Sequence, residues 1–238
     1  MDDRWHKAFL LWSRKQEHEQ LVEKTRASMR PIIEKYCCVV AFSGGKDSTV
    51  MLHLALQIDP DIQVFHWDQG PKLMPRDVQE EILANAKALG AKNLIVESWK
   101  GSDAEDMRVN PEKWRFAHLI HYLVLNRLRR DLRWDFQFVG LRKEEGCKRS
   151  AVCKHPRRGE VYPLTDWRWL DVWAYIVSHR LPYPRAYDTY APLLGWDQAR
   201  FVNFFSMRFE NYGSPYLDGF LMPEKRNMVS LKGDSVNV

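Results

Sequence analysis

The stretch Ser43-Gly44-Gly45-Lys46-Asp47-Ser48 sets two hydroxyls, an ammonium group, a carboxylate and two adjacent glycines in one short run. An unbroken apolar segment, 37–42, leads into it, and residues 49–56 leave it with helical spacing. That pattern reads as a strand, a tight glycine turn and a helix start. The amides of such a turn and of the first helical turn have no partners within the helix, and the helix dipole adds partial positive charge there. Phosphate is the usual occupant of that geometry. Gly44 and Gly45 let the main chain approach it, Ser43 and Ser48 offer hydroxyls, and Lys46 adds a full charge. Asp47 either assists a metal ion or caps the helix. The G-x-x-x-x-G-K-[ST] loop is excluded, because it needs four residues between its glycines and Gly44 and Gly45 are neighbours.

Further candidates lie elsewhere. Asp68, ending an apolar segment and followed by Gln69-Gly70, is placed to cap a turn or to touch a ligand. Gly140 ends another such segment. The chain beyond it, 141–158, is basic and reads as irregular, with Arg142 and Arg149 as candidate anion ligands. Its like charges repel and it has little apolar content, so it is expected to order as a lid when an anion neutralises it. Cys147, Cys153 and His155 have the spacing C-x5-C-x-H, which lacks a paired C-x-x-C and a fourth ligand; they are read as free cysteines, and no metal ligand is assigned. Segments 126–133 and 141–158 could take a nucleic-acid or protein partner, although the charged face of a long helix is usually just solvated.

These residues need a scaffold, and the chain supplies alternating strands and helices. Residues 1–36 form a helical lead-in, with Pro31 expected to break or kink it near Arg30. Strands are expected at 37–42, 62–67, 93–98 and 136–140, and helices at 47–58, 76–89 and 112–132, with a polar loop at 101–111. Strands this apolar, spaced by helices, indicate an α/β fold with a parallel sheet covered on both faces, Rossmann-like in outline. Ligands of such folds bind beyond the carboxyl ends of the strands, where 42–48, 68–70, 98–106 and 140–150 all lie. Thr165 or Asp166 is read as the N-cap of a helix reaching His179, with Trp167, Trp169 and Trp173 as packing residues. The core of alternating strands and helices is expected over 37–180, and 181–238 is expected to be an irregular C-terminal extension of short helices and turns packed on it.

At 238 residues the chain can bury a sizeable core. A net charge of +5 favours anionic partners, which nucleotide alone would satisfy. Cys37 and Cys38, neighbours in the first strand, read as buried small residues in a reducing compartment. No apolar run approaches a membrane span and the start lacks a signal-peptide core, so a cytoplasmic protein without membrane contact is expected, as a possible homo-oligomer.

Four segments together resemble the PP-loop ATP pyrophosphatases, within them the phosphoadenosine phosphosulfate (PAPS) reductase and sulfate adenylyltransferase small-subunit branch. The stretch 43–48 is similar to the SGG-x-DS signature. His66-Trp67-Asp68-Gln69-Gly70 resembles a strand-end D-T-G, and Gly140-Leu141-Arg142-Lys143-Glu144-Glu145 with Arg149 resembles G-x-R-x-x-E…R. Pro163-Leu164-Thr165-Asp166-Trp167 with 171–176 resembles P-L-x-D-W-x-x-x-D-V-W-x-Y-I. The resemblance covers about 37–180 and implies the adenine nucleotide alpha hydrolase-like fold. It also implies ATP with Mg²⁺, cleavage between the α and β phosphates, and AMP transfer. The site would be Ser43, Gly44, Gly45, Lys46, Asp47, Ser48, Asp68 and Gly140 for binding, and Lys46, Asp47, Arg142 and Arg149 for catalysis. The acceptor could be sulfate or a base carbonyl in nucleic acid. A sulfonucleotide reductase is the alternative; it attacks sulfur with a thiolate, and the chain has no cysteine after Cys153, where the reductase element E-C-G-x-H is expected. A non-catalytic nucleotide- or nucleic-acid-binding module is the third reading.

Overall fold

The computed structural model describes residues 1–68, 70, 74–98, 122–155, 157, 159–201, 216–217 and 220–221. The lead-in is two helices, α1 (Asp3–Ser13) and α2 (Gln16–Lys35). Asp2 starts α1 by accepting the Trp5 N–H at 2.9 Å, an N-cap bond. Of the break or kink expected at Pro31, the break does not occur: α2 continues through the proline to Lys35. Met29 and Ile33, buried on either side of the proline, hold that turn against the core.

The core then alternates β1 (Cys38–Ala41), α3 (Lys46–Leu56), β2 (Gln63–Asp68), α4 (Arg76–Ala88) and β3 (Asn93–Ser98). After a helix whose described part is 122–131 (α5) come β4 (Phe136–Phe138), a 3-10 turn at Lys143–Glu145, α6 (Cys147–Lys154) and β5 (Glu160–Val161). Two helices, α7 (Trp169–Ser178) and α8 (Ala186–Leu194), follow. The expected loop at 101–111 and the start of the long helix lie outside the described residues.

The five strands form one all-parallel sheet in the order β3-β2-β1-β4-β5. The chain builds outward from β1 through β2 to β3, then returns to the other side of β1 with β4. The order therefore reverses between β1 and β4, which in such folds is where ligands bind beyond the strand ends. Val39, Val40 and Phe138 are fully buried in the sheet centre. Helices α2, α3 and α7 pack together, and α1 lies along α7. Trp167 and Trp173 are indeed packing residues, buried to 1% and 0% exposure. Trp173 meets Trp196 edge-on at 4.8 Å and Tyr187 at 4.9 Å between ring centroids.

Three local expectations are corrected. Asp166 does not cap α7; it pairs with Lys143 at 2.7 Å, and Asp171 caps instead by accepting the Arg168 N–H at 2.8 Å. Segment 141–158 is not irregular, since it carries the 3-10 turn and α6. The C-terminal extension adds, to α8, the short strands β6 (Arg200–Phe201), β7 (Tyr216–Leu217) and β8 (Phe220–Leu221) in an antiparallel sheet ordered β6-β8-β7. Two-residue strands are too short to show a period of two. The tail from Lys225 lies outside the described residues. Among the described residues no helix is long and apolar enough to cross a membrane.

Candidate functional site

The turn between β1 and α3 sits at the sheet's reversal point. Gly44 has φ +82°, where a side chain is strained, and a Cβ there would fall 2.6 Å from Ile82 of α4. Gly45 is the N-cap residue of α3. The amides of Asp47 and Ser48, in the first turn of α3, take no backbone acceptor among the described residues, whereas Thr49 N–H bonds Gly45 O. Open donors at a helix start suit an anion, whereas the Gly45 N–H is turned to Ser43 Oγ at 3.4 Å. Gly140 lies against them. A Cβ on it would stand 3.0 Å from the Asp47 carbonyl carbon and 3.2 Å from the Ser48 nitrogen.

The two serines serve the turn itself. Ser48 Oγ donates to Gly45 O at 2.9 Å and accepts from Ser43 N and Ser43 Oγ at 3.2 and 3.1 Å. Their hydroxyls brace the loop from within.

Lys46 is only 1% exposed. Its Nζ stands 3.3 Å from Asp47 Oδ2 and donates to Ala199 O at 3.3 Å, while its N–H donates to the Tyr187 hydroxyl at 3.2 Å. Burial pushes the Lys46 pKa down, and Asp47 works against that shift. An arriving anion would supply the compensation that a buried ammonium lacks.

Asp47 joins this loop to the one after β4. Arg142 Nε donates to Asp47 Oδ1 at 2.5 Å, and Arg142 Nη1 donates to Glu144 Oε2 at 2.7 Å. Glu144 in turn accepts the Trp169 N–H, at 2.6 Å, at the start of α7. Burial alone would raise the Asp47 pKa, but Arg142 and Lys46 outweigh it and hold the carboxyl at about 2. Arg142 is 2% exposed, so it is a buried bridge and not a solvated charge. Arg149 pairs with Glu145, whose carbonyl accepts from Arg200 Nη1 at 3.2 Å.

Asp68, at the end of β2, is gripped by Arg76 of α4, with both carboxylate oxygens at 2.9 Å, and Oδ1 also accepts the Gly70 N–H at 2.8 Å. Burial pushes the Asp68 pKa up, yet the Arg76 and Gly70 hydrogen bonds bring it net below the ordinary carboxylate value.

The structure thus brings Ser43, Gly44, Gly45, Lys46, Asp47, Ser48, Gly140 and Arg142 into one cluster. Arg149 adjoins it through Glu145, and Asp68 lies on the same sheet edge, turned to Arg76. Sequence reasoning missed Tyr187, Ala199 and the bridging role of Glu144 and Glu145. Cys147 is exposed, Cys153 half-buried, and all four cysteines are free.

Comparison with known proteins gives this site a family. A phosphoadenylyl-sulfate (PAPS) reductase from Candida auris, solved as a phosphate complex, superposes with TM-score 0.52 at 16% identity, over 74% of this chain and 92% of that one. The U34-tRNA thiolase NcsA from Methanococcus maripaludis superposes equally at 0.52 and 18% identity, over 71% of this chain and 67% of that one. Both likenesses speak to the fold, which is the adenine nucleotide alpha hydrolase-like arrangement. In sequence, the chain is 27% identical to a phosphoadenosine 5'-phosphosulfate reductase from Synechococcus over 68% of its length and 74% of the relative's. It is 29% identical to sulfate adenylyltransferase subunit 2 from a Mycobacterium species over 63% of its length, spanning 57% of that relative. Residues 37–208 match the profile of the phosphoadenosine phosphosulfate reductase domain, which covers the whole parallel sheet and the loop at Lys46, and the chain belongs to that family.

Proposed function

We propose that the chain binds ATP at the loop 43–48 and cleaves it between the α and β phosphates, transferring AMP to an acceptor. An acceptor oxygen would attack the α-phosphorus, and the bond to the bridging oxygen would break with its electron pair leaving on pyrophosphate. The observation that carries this reading is the pair of amides, Asp47 and Ser48, that have no acceptor among the described residues, beside a buried Lys46 at the N-terminus of α3. The amides would bind the β and γ phosphates. Lys46 would exchange the Ala199 carbonyl for phosphate oxygen and stabilise the charge gathering on the leaving group. Arg142 would act chiefly through Asp47, by fixing the mouth between the β1 and β4 loops, and Arg149 would add positive potential near the acceptor.

Magnesium, the usual companion of ATP, finds no ready protein site. Asp47 and Asp68 are both turned to arginine, and no cluster of three His, Cys, Asp or Glu side chains suited to a metal occurs among the described residues. The acceptor class is sulfate or a base carbonyl in nucleic acid.

A second reading has support of its own. The Synechococcus relative is named a sulfonucleotide reductase, and in that chemistry Cys147 or Cys153 would have to supply the attacking thiolate. Incubation with α- and γ-labelled ATP plus sulfate or RNA tests the first reading; labelled pyrophosphate and an adenylylated product are expected. Sulfite release from phosphoadenosine phosphosulfate with a thiol reductant, and no pyrophosphate from ATP, would replace it with the second.

A further inference from the structure

The segment His66-Trp67-Asp68-Gln69-Gly70 carries a residue that the proposed chemistry leaves unused. His66 is 3% exposed and Gln79 of α4, its neighbour, likewise 3%. His66 Nδ1 lies 2.8 Å from Phe42 O, the carbonyl immediately before Ser43. A carbonyl oxygen only accepts, so Nδ1 carries the proton. The other ring nitrogen, Nε2, then accepts from the Gln79 side-chain amide, whose nitrogen, 2.9 Å away, is nearer than its oxygen at 3.1 Å.

This bond falls where the strand ladder stops. The register of β1 with β2 ends at Ala41 opposite Phe65, and Phe42 N–H still bonds Phe65 O at 2.8 Å. The next acceptor, Phe42 O, goes to the imidazole. Both backbone groups of the residue that launches the loop are therefore held by β2, one by its main chain and one by a side chain. Helix α4 backs this up at three points along one face. Arg76 holds Asp68, Gln79 holds His66, and Ile82 packs where a Cβ of Gly44 would be.

We propose that His66, oriented by Gln79, is a positioning residue that sets the exit angle of the phosphate loop through the Phe42 carbonyl. The inference rests on the phosphate reading of 43–48 given above. It makes the loop's anion affinity depend on a donor that touches no anion. Leucine at 66 removes the donor and leaves a buried carbonyl unsatisfied. Asparagine places an amide N–H near where Nδ1 stands and keeps the bond to Phe42 O while losing Gln79.

Titration calorimetry with pyrophosphate and with ATP as probes, alongside thermal melting, tests this. His66→Leu is expected to weaken binding about tenfold, the scale of one lost buried hydrogen bond. His66→Asn is expected to stay within about threefold of the wild type, although both variants lose the Gln79 contact and melt earlier. Should His66→Leu fail to fold, Gln79→Leu, which frees the ring to turn, is expected to weaken binding in the same sense. Side-chain nitrogen NMR of the wild type is expected to place the His66 proton on Nδ1. Equal affinity in wild type and the leucine variants, an asparagine variant as weak as leucine, or a proton on Nε2 would overturn the proposal. A wild-type protein that binds neither probe overturns the phosphate reading itself, and that result is visible before any variant is made.

Discussion

Lys46 concentrates the site's electrostatics in one side chain. It is buried, its pKa is pushed down by that burial, and it faces Asp47 on one side and the Ala199 carbonyl on the other. A charge kept in such surroundings is costly unless something anionic uses it. Lys46→Ala is therefore expected to lower pyrophosphate release from ATP by on the order of a hundredfold or more, as loss of a preorganised contact to a leaving group does. Turnover equal to wild type would remove Lys46 from the chemistry. The cysteines make the complementary case. Cys147 and Cys153 sit on α6, one exposed and one half-buried, and neither belongs to the Lys46–Asp47–Arg142 cluster. Changing both to serine is expected to leave ATP-dependent activity within about twofold, because neither thiol touches that cluster and substitutions away from such features usually cost little. A folded double variant without activity would shift the assignment to the thiol reductase.

Among the elements, the contact of α1 and α2 with α7 is the one most open to a direct test. Asp171 in the first turn of α7 is 2% exposed; it accepts from Trp12 Nε1 at 2.7 Å and from Arg168 N at 2.8 Å, with His18 Nδ1 of α2 at 3.5 Å. Burial would raise its pKa, but the nearby His18 ring and the hydrogen bonds from Trp12 and Arg168 bring it down to about 2. The folded value lies below the unfolded one, so this carboxylate stabilises the fold fully above about pH 4 and loses that effect as pH falls towards 2. From an ordinary 3.8, the drop amounts to roughly 2 kcal/mol. Asp171→Asn should thus be less stable at pH 7 and lose less between pH 5 and 2, as read by urea unfolding across that range. An unchanged acid limb would show that Asp171 is not the coupling residue. Helices α1 to α4 and α7 were legible in the sequence because apolar spacing marks a buried face, whereas α6 was not. The strand at 93–98 falls where its apolar run predicts, and β1 within a residue or so. What was not legible has local causes. Segment 141–158 reads as self-repelling only if Glu144 and Glu145 are ignored, and these pair with Arg142 and Arg149. Asp166 looks like a cap, but Asp171, deeper in the helix, reaches back to do that work.

Across the whole molecule, segments distant in sequence converge on one helix start. The loop 43–48 comes from the first strand, Gly140 and Arg142 from the fourth, and Tyr187 and Ala199 from the C-terminal extension. The β1–β4 reversal accounts for the first two, and a parallel sheet read from sequence anticipates it. The third has no sequence signal, because Ala199 contributes a main-chain carbonyl and Tyr187 a hydroxyl on a ring otherwise packed against Trp173. These contacts are consistent with a family profile that extends to residue 208, well past the last strand of the parallel sheet. They also set up a competition. The Tyr187 hydroxyl occupies the Lys46 N–H, the first amide of α3, which an anion at a helix start would otherwise take. Tyr187→Phe keeps the ring in the aromatic cluster and removes the hydroxyl that accepts the Lys46 N–H. Its expected effects are a lower melting temperature, since one buried hydrogen bond is lost, and an affinity for ATP raised by up to about tenfold, since the freed amide passes to phosphate. Calorimetry and thermal melting on the same preparation separate the two. A variant that melts earlier but binds ATP no more tightly would mean that phosphate does not reach the Lys46 amide, and would confine the anion site to Asp47 and Ser48.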